Sequence, residues 1–465
     1  MRKVICSIVF LFAIIVGCKK SEPEPKVETK DPIITTPTVT KTGFNMDTTW
    51  FNKKFKNYSL VTHRWYGHGD FNKDGTKDMV VMFAGLGHED YLFQQNPTDR
   101  RVIGVFLNKK TYFELDTNLV YSYFGGYNGV NVSDINNDGF LDIYQMTGMW
   151  EGTKYPKPPH YNNNGMGGMD SFVFMNNNNK GFTKYTIPIE DNPPTTTSII
   201  ADVDKDGLKE IYNQSCDFYY EFNGNGFTKN RLNFINVFQG KSYNIRVVTP
   251  RLWDSNLGLY YLASDDFTDD YFILKMEGGN LVPKVKYTVP YTKSGFTEGN
   301  NGERDEMYIV DLDKDGKQEY IISSQMFDVP NNPYILIVNE EGKDVTSQFF
   351  DSSINTRLTN EQFNGGIWNI NGFFYHTFAD IDGDGIKEIF PASGLGYLKD
   401  GKSHYYKFID GKFRLSLYHN SWFGSGLNTV EKRGDQYGVF ADEKNRVNIL
   451  VVVEGDLGKS KIKTF

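Results

Sequence analysis

Apolar residues along this chain fall in short runs that Gly, Asn and Asp soon interrupt, as in Met79-Val80-Val81-Met82 or Ile389-Phe390. Runs of β-branched and aromatic residues bounded by turn formers read as β-strands, and no long stretch carries a helical period of 3.6. Pairs of runs flank Asn- or Gly-containing turns at 172–187, 218–232 and 405–417, which predicts hairpins there. The pattern therefore predicts an all-β protein of many short strands. With 465 residues, 45 Gly and 15% aromatics, the chain can bury one large core or several smaller ones.

The N-terminus breaks this pattern. Arg2 and Lys3 precede an apolar stretch over 4–17 that is too short for a comfortable membrane span. Its end, Ile15-Val16-Gly17-Cys18, resembles a bacterial lipobox, and that resemblance implies a cleaved signal peptide over 1–17 and a lipid on Cys18. Residues 19–43 carry Pro23, Pro25, Pro32 and Pro37 among Thr, Lys and Glu, too polar to order themselves. Residues 18–43 thus read as a lipidated cysteine with a disordered Pro/Thr-rich tether, and 44–465 as one folded domain on the bacterial outer membrane. Only Cys216 is left in the mature domain, so no internal disulfide is expected, and it reads as a small buried hydrophobe.

Five loops share one pattern of oxygen-bearing side chains, with Gly always sixth. The first runs through Asp70, Asn72, Asp74, Thr76 and Asp78, the second through Asp134, Asn136, Asp138, Phe140 and Asp142. The third uses Asp202, Asp204, Asp206, Leu208 and Glu210, the fourth Asp311, Asp313, Asp315, Lys317 and Glu319, and the fifth Asp380, Asp382, Asp384, Ile386 and Glu388. Positions 1, 3, 5 and 9 supply side-chain oxygens, and position 7 offers its carbonyl. A hard cation with six to eight oxygen ligands at about 2.3–2.6 Å suits such a loop, so about five structural Ca2+ ions are expected. An EF-hand would need an acid at position 12, where this chain has Val81, Gln145, Asn213, Ile322 and Pro391.

The loops begin at 70, 134, 202, 311 and 380, so one interval is nearly double the others. Within it, Trp253-Asp254-Ser255-Asn256-Leu257-Gly258 resembles a decayed copy, and Phe440-Ala441-Asp442 repeats Phe378-Ala379-Asp380. Seven registers result, each with room for strand, loop, strand and hairpin. These features resemble the FG-GAP/VCBS calcium-loop repeats of integrin-alpha-like proteins, with Tyr123-Phe124-Gly125-Gly126 echoing the FG element. The resemblance implies a seven-bladed β-propeller with four-stranded antiparallel blades, closed by the N-terminal strand pairing in the last blade.

The formal charge of −8 includes the positive leader, and the five loops hold 18 of the acidic side chains. The acidity is thus cation-binding capacity and no sign of a basic partner, and no basic patch with interleaved aromatics points to nucleic acid. HExxH, GxSxG and dinucleotide signatures are absent. His68 and His376 lie just before acidic loops and read as structural, while Trp50, Trp65, Trp253 and Trp368 read as packing between blades. The unusual segment is 147–170, whose Trp150, Tyr155, His160 and Tyr161, with Trp422 elsewhere, could bind a protein or a sugar. The leading expectation is a non-enzymatic, lipid-anchored scaffold for an outer-membrane or cell-surface protein partner. A surface glycan-binding lipoprotein and a polysaccharide lyase or hydrolase remain alternatives.

Overall fold

The computed structural model describes residues 43–45, 50, 54, 61–84, 101–110, 112–123, 129–146, 150–151, 166–167, 170–187, 198–213, 218–265, 270–288, 307–323, 335–350, 376–380, 382–391, 404–417, 436–441, 447–452 and 461–464. These all belong to one compact unit spanning Lys41–Phe465. Among the described residues, seven sheets of three to five strands follow one another in chain order.

The first sheet holds β1 (Gly43–Asn45), β2 (Val61–Gly69), β3 (Asp78–Ala84), β4 (Arg101–Asn108) and β5 (Tyr112–Tyr123). The second holds β6 (Gly129–Ser133), β7 (Asp142–Met146), β10 (Ser171–Asn176) and β11 (Phe182–Ile187). Between its middle strands, β8 (Trp150–Glu151) and β9 (Met166–Gly167) form a small separate ladder. The third sheet is β12 (Ser198–Ala201), β13 (Glu210–Asn213), β14 (Phe218–Phe222) and β15 (Phe227–Arg231).

In the fourth, β16 (Asn233–Phe234) joins β19 (Ile245–Asp254), β20 (Gly258–Asp265), β21 (Asp270–Glu277) and β22 (Asn280–Thr288), while β17 (Val237–Phe238) pairs only with β18 (Lys241–Ser242). The fifth is β23 (Met307–Val310), β24 (Glu319–Ser323) and β25 (Ile335–Asn339), with the short helix α1 (Thr346–Phe349) beside β25. The sixth is β26 (His376–Ala379), β27 (Glu388–Pro391), β28 (His404–Ile409) and β29 (Lys412–Leu417). The seventh is β30 (Gln436–Ala441), β31 (Val447–Val452) and β32 (Lys461–Thr464).

Successive long strands pair antiparallel, and the expected order of strand, loop, strand and hairpin forms in the first, second, third and sixth sheets; the fourth has a short turn in place of the loop, and the fifth and seventh hold three strands among the described residues. All three hairpins expected at 172–187, 218–232 and 405–417 are present. Both decayed copies also open sheets: Asp254 faces Gly258 across the first turn of the fourth, and Ala441 ends the first strand of the seventh.

Apolar faces are buried between sheets, which is why no single sheet could stand alone. Ile103, Val105 and Tyr123 of the first sheet pack with Ile143, Phe172 and Phe174 of the second. Tyr144 and Val173 then meet Ile211 and Tyr220 of the third, and Tyr212 meets Leu259 and Tyr261 of the fourth. Ile273 and Val285 join Met307 and Ile309, and Ile321 and Ile337 join Ile389 and Tyr406. Trp253 packs partly buried against the cluster between the third and fourth sheets, as expected of it. First strands lie side by side, β2 with β6, β6 with β12, β12 with β19, β19 with β23, and β26 with β30.

The N-terminal strand corrects one expectation. Instead of completing the last sheet, β1 pairs in parallel with β5 of the first, Phe44 opposite Phe113, and only approaches β32. The reason is the long outer strand β5, whose free edge offers N–H and C=O groups that a short extended segment can satisfy.

Candidate metal centres

The acidic loops join β2 to β3, β6 to β7, β12 to β13, β23 to β24 and β26 to β27, so all five occupy the same end of their sheets. Neighbouring loops touch. The Lys73 ammonium sits 3.9 Å from the Phe140 ring centre, and the Lys209 N–H donates to the Ile135 carbonyl at 3.0 Å. Position 6 has positive φ in each, from 81° at Gly75 to 97° at Gly207, which is why glycine stands there. Position 4 is also left-handed, at Lys73, Asn137, Lys205, Lys314 and Gly383, a feature that the sequence did not announce.

These two turns fold the side chains of positions 1, 3 and 5 inward. The position-1 carboxylate accepts the glycine N–H in all five loops, at 2.8 Å for Asp70, 2.8 Å for Asp134, 3.2 Å for Asp202, 2.9 Å for Asp311 and 3.1 Å for Asp380. Position 5 accepts the backbone N–H of position 7, at Thr76, Phe140, Leu208, Lys317 and Ile386, and the Thr76 hydroxyl donates to Asp74 as well.

Position 9 differs between loops. Asp78 and Asp142 are fully buried, and both oxygens of each are taken. Asp142 accepts the Ile135 N–H at 2.9 Å with one oxygen and the Asn176 N–H at 2.8 Å with the other. Asp78 does the same with Phe71 and Asn108, each at 2.8 Å. These carboxylates clasp the loop to the third strand of the sheet. Glu210, also buried, uses one oxygen for the Val203 N–H at 2.9 Å and the Tyr212 hydroxyl at 3.2 Å. Its Oε1 has no partner, nor has the buried Oδ1 of Asp202.

Carboxylate oxygens of Asp202, Asp204, Asp206 and Glu210 lie within 4.8 Å of one another, as do those of Asp311, Asp313 and Asp315, and of Asp380, Asp382 and Glu388. A calcium ion with ligands at about 2.3–2.6 Å separates opposite oxygens by about 5 Å, so the spacing suits it. Buried anionic oxygens without hydrogen bonds cost several kcal/mol unless charge compensates them. The third loop therefore fits a cation on its own geometry.

The pKa shifts agree. Burial pushes Glu210 and Asp142 up to about 7 and Asp78 up to about 6, and it raises Glu319 as well. Facing carboxylates add to the rise at Asp142 and Glu210, and a nearby cation would reverse it. In the fifth loop the ammonium of Lys407 pairs with Asp382 and holds it below the usual carboxylate range.

Of the other expected site residues, Trp150 belongs to β8, while Tyr155, His160, Tyr161 and Trp422 lie outside the described residues, as do Cys18, Cys216 and Trp368. His68 is on β2, largely enclosed, and burial lowers its pKa to about 4, in line with a structural role. The connections over 85–100, 147–170, 289–306, 324–334, 392–403 and 418–435 leave from strand ends opposite the acidic loops, whereas 351–375 follows α1.

No family model and no curated relative matches the chain. Solved structures do. The exotype rhamnogalacturonan lyase YesX aligns over 92% of this chain and 75% of its own length, with 12% identity and a TM-score of 0.45. Sqt1 of Saccharomyces cerevisiae aligns over 88% and 97%, with 12% identity and a TM-score of 0.40. A Trypanosoma rangeli sialidase aligns over 84% and 52%, with 10% identity and a TM-score of 0.33. Such likenesses are too remote to carry an activity over.

Proposed function

We propose that the chain is a calcium-stapled propeller that serves as a non-enzymatic binding scaffold of the bacterial envelope. The observation that carries this reading is the third loop, where four carboxylates converge and two buried oxygens lack any partner. In this reading the seven sheets are blades of one closed ring of FG-GAP/VCBS type, and Ca2+ ions join the first and second strands of the loop-bearing blades. Calcium supplies only charge and coordination. The chain's own contribution is to hold the ligand oxygens in place through the backbone N–H groups of each loop.

Placement of function follows from topology. One end of the sheets is filled by short acidic loops and tight hairpins, so variation in length collects at the other. That end, with the insertion around Trp150, is the surface for a protein partner, and a lipid on Cys18 would keep it at the outer membrane.

Calcium titration of the full-length protein in detergent tests the stapling. At a hundredfold excess over the dissociation constant each ion adds about 2.7 kcal/mol, so three or more ions lift the melting temperature by on the order of 10 °C. An unchanged melting curve after chelation would sink this reading. For the partner, a membrane protein should co-purify with the tethered chain. Glycan binding lost in Trp150→Ala would instead assign the surface to sugar.

A further inference from the structure

The five loops share a sequence pattern but not an internal bonding pattern. In the first two, position 3 is an asparagine whose amide donates to the position-5 carboxylate, Asn72 to Asp74 at 2.9 Å and Asn136 to Asp138 at 3.0 Å. Their position-1 residues accept two N–H groups, one on each oxygen: Asp74 and Gly75 for Asp70, Asp138 and Gly139 for Asp134. Their position-9 aspartates are likewise bonded at both oxygens. In these loops the N–H groups supply the positive end that a cation would otherwise supply.

The third loop is built otherwise. Position 3 is Asp204, which has no hydrogen to donate. Asp202 accepts only the Gly207 N–H, and its Oδ1 is buried without a partner. Glu210 accepts the Val203 N–H with one oxygen, as Asp142 does that of Ile135, while its Oε1, on a side chain 1% exposed, is left unbonded. Four carboxylates then share one small space with two oxygens unmatched. The fourth loop gathers only Asp311, Asp313 and Asp315, and in the fifth Lys407 already occupies Asp382.

We propose that the third loop, Asp202 to Glu210, is the tight divalent-cation site of this protein, and that the first and second loops are shut by their own hydrogen bonds and bind a cation only weakly. The proposal rests on the calcium reading above and divides its sites into classes. Affinity in such loops follows the number of charged ligands and how freely they face the ion. The third loop is richer on both counts.

Calorimetric titration of the full-length protein with Ca2+ should resolve one tight equivalent followed by a weaker phase. Asp204→Asn, at an exposed position, gives the third loop the asparagine of the first two and should weaken the tight equivalent about tenfold or more, or about 1.4 kcal/mol. Glu210→Gln should remove it. Asp138→Asn in the second loop should leave it unchanged. With Tb3+ as probe, the emission excited through Tyr212 and its stacked neighbour Tyr219, 5.3 Å away, should saturate at the first equivalent. A single class of equal sites, or a tight phase that survives Asp204→Asn and falls in Asp138→Asn, overturns the proposal with calcium binding intact. Wild-type protein that binds neither ion overturns the calcium reading itself.

Discussion

The second and fourth sheets solve the same problem in different ways. Both must hold a first strand against a second at the same end of the molecule. The second does so with an acidic loop over 134–141 and strands of five or six residues. The fourth has no such loop. Its turn is Asp254 to Gly258, closed by Asp254 accepting the N–H groups of Asn256 at 2.7 Å and Leu257 at 2.9 Å. Its antiparallel strands run eight to ten residues, and β16 adds a fifth on the outer edge. Longer ladders supply backbone hydrogen bonds and apolar cross-strand pairs that a short-stranded sheet lacks. Acidic loops are thus dispensable where the ladder is long. The third sheet, with strands of four or five residues, is where the loop matters most.

Chelation should break this comparison open with the largest effect. Hydrogen exchange after calcium is stripped should show the amides of β12 and β13 losing most of their protection while those of β20 and β21 keep theirs. The dependence on pH has a definite sign. In the stripped protein Glu210 and Asp142 titrate near 7, above their unfolded values. Each then contributes stability that is fully present below about pH 4 and is lost as pH rises through about 7, to the extent of about 3 kcal/mol for a shift of that size. Calcium holds the carboxylates ionised and cancels the loss at those it binds. The melting-temperature gap between loaded and stripped protein should therefore widen from pH 5 to pH 7.5. A gap that is constant across that range, or uniform loss of protection over all sheets, would remove the distinction between sheets.

The next effect separates clasp from ligand. Asp142→Ala leaves the buried N–H groups of Ile135 and Asn176 without an acceptor, at a cost of about 3 kcal/mol. Urea denaturation should show that loss with calcium present and with calcium removed. Glu210→Ala should cost more with calcium present than without, because it removes a site for the ion as well as the acceptor of the Val203 N–H. Equal calcium dependence of the two variants would merge the two kinds of loop.

How much of this was legible in the sequence follows the same division. Repeated Asp, Asn and Gly positions carry a local geometric demand, so the five loops, the two decayed copies and the hairpins could be read directly. Local spacing also places the candidate ligands, because the two left-handed turns bring positions 1, 3 and 5 together. What the residues could not show depends on distant partners. The acceptance of Asn176 N–H by Asp142 joins residues 34 apart, and no spacing rule encodes it. The same holds for β1, three residues long, which pairs with β5 because that edge was open. The difference between Asp142 and Glu210 is one methylene. Its consequence, an oxygen bonded in one loop and orphaned in the other, needs the surrounding backbone to be seen.

The smallest effect tests whether the fourth sheet has replaced its loop or merely lost it. Asp254 closes the turn with one oxygen and two N–H groups, a local bond of the kind Asp and Asn make in tight turns. Asp254→Ala should therefore cost about 1 kcal/mol, the value of a partly exposed hydrogen-bonded turn, and the cost should be the same with and without calcium. A residual cation site at this turn would make the cost calcium-dependent and would rank the fourth sheet with the weak loops. If the cost is small and indifferent to the ion, ladder length alone holds this sheet, and short strands, as in β12 and β13, are what make an ion necessary.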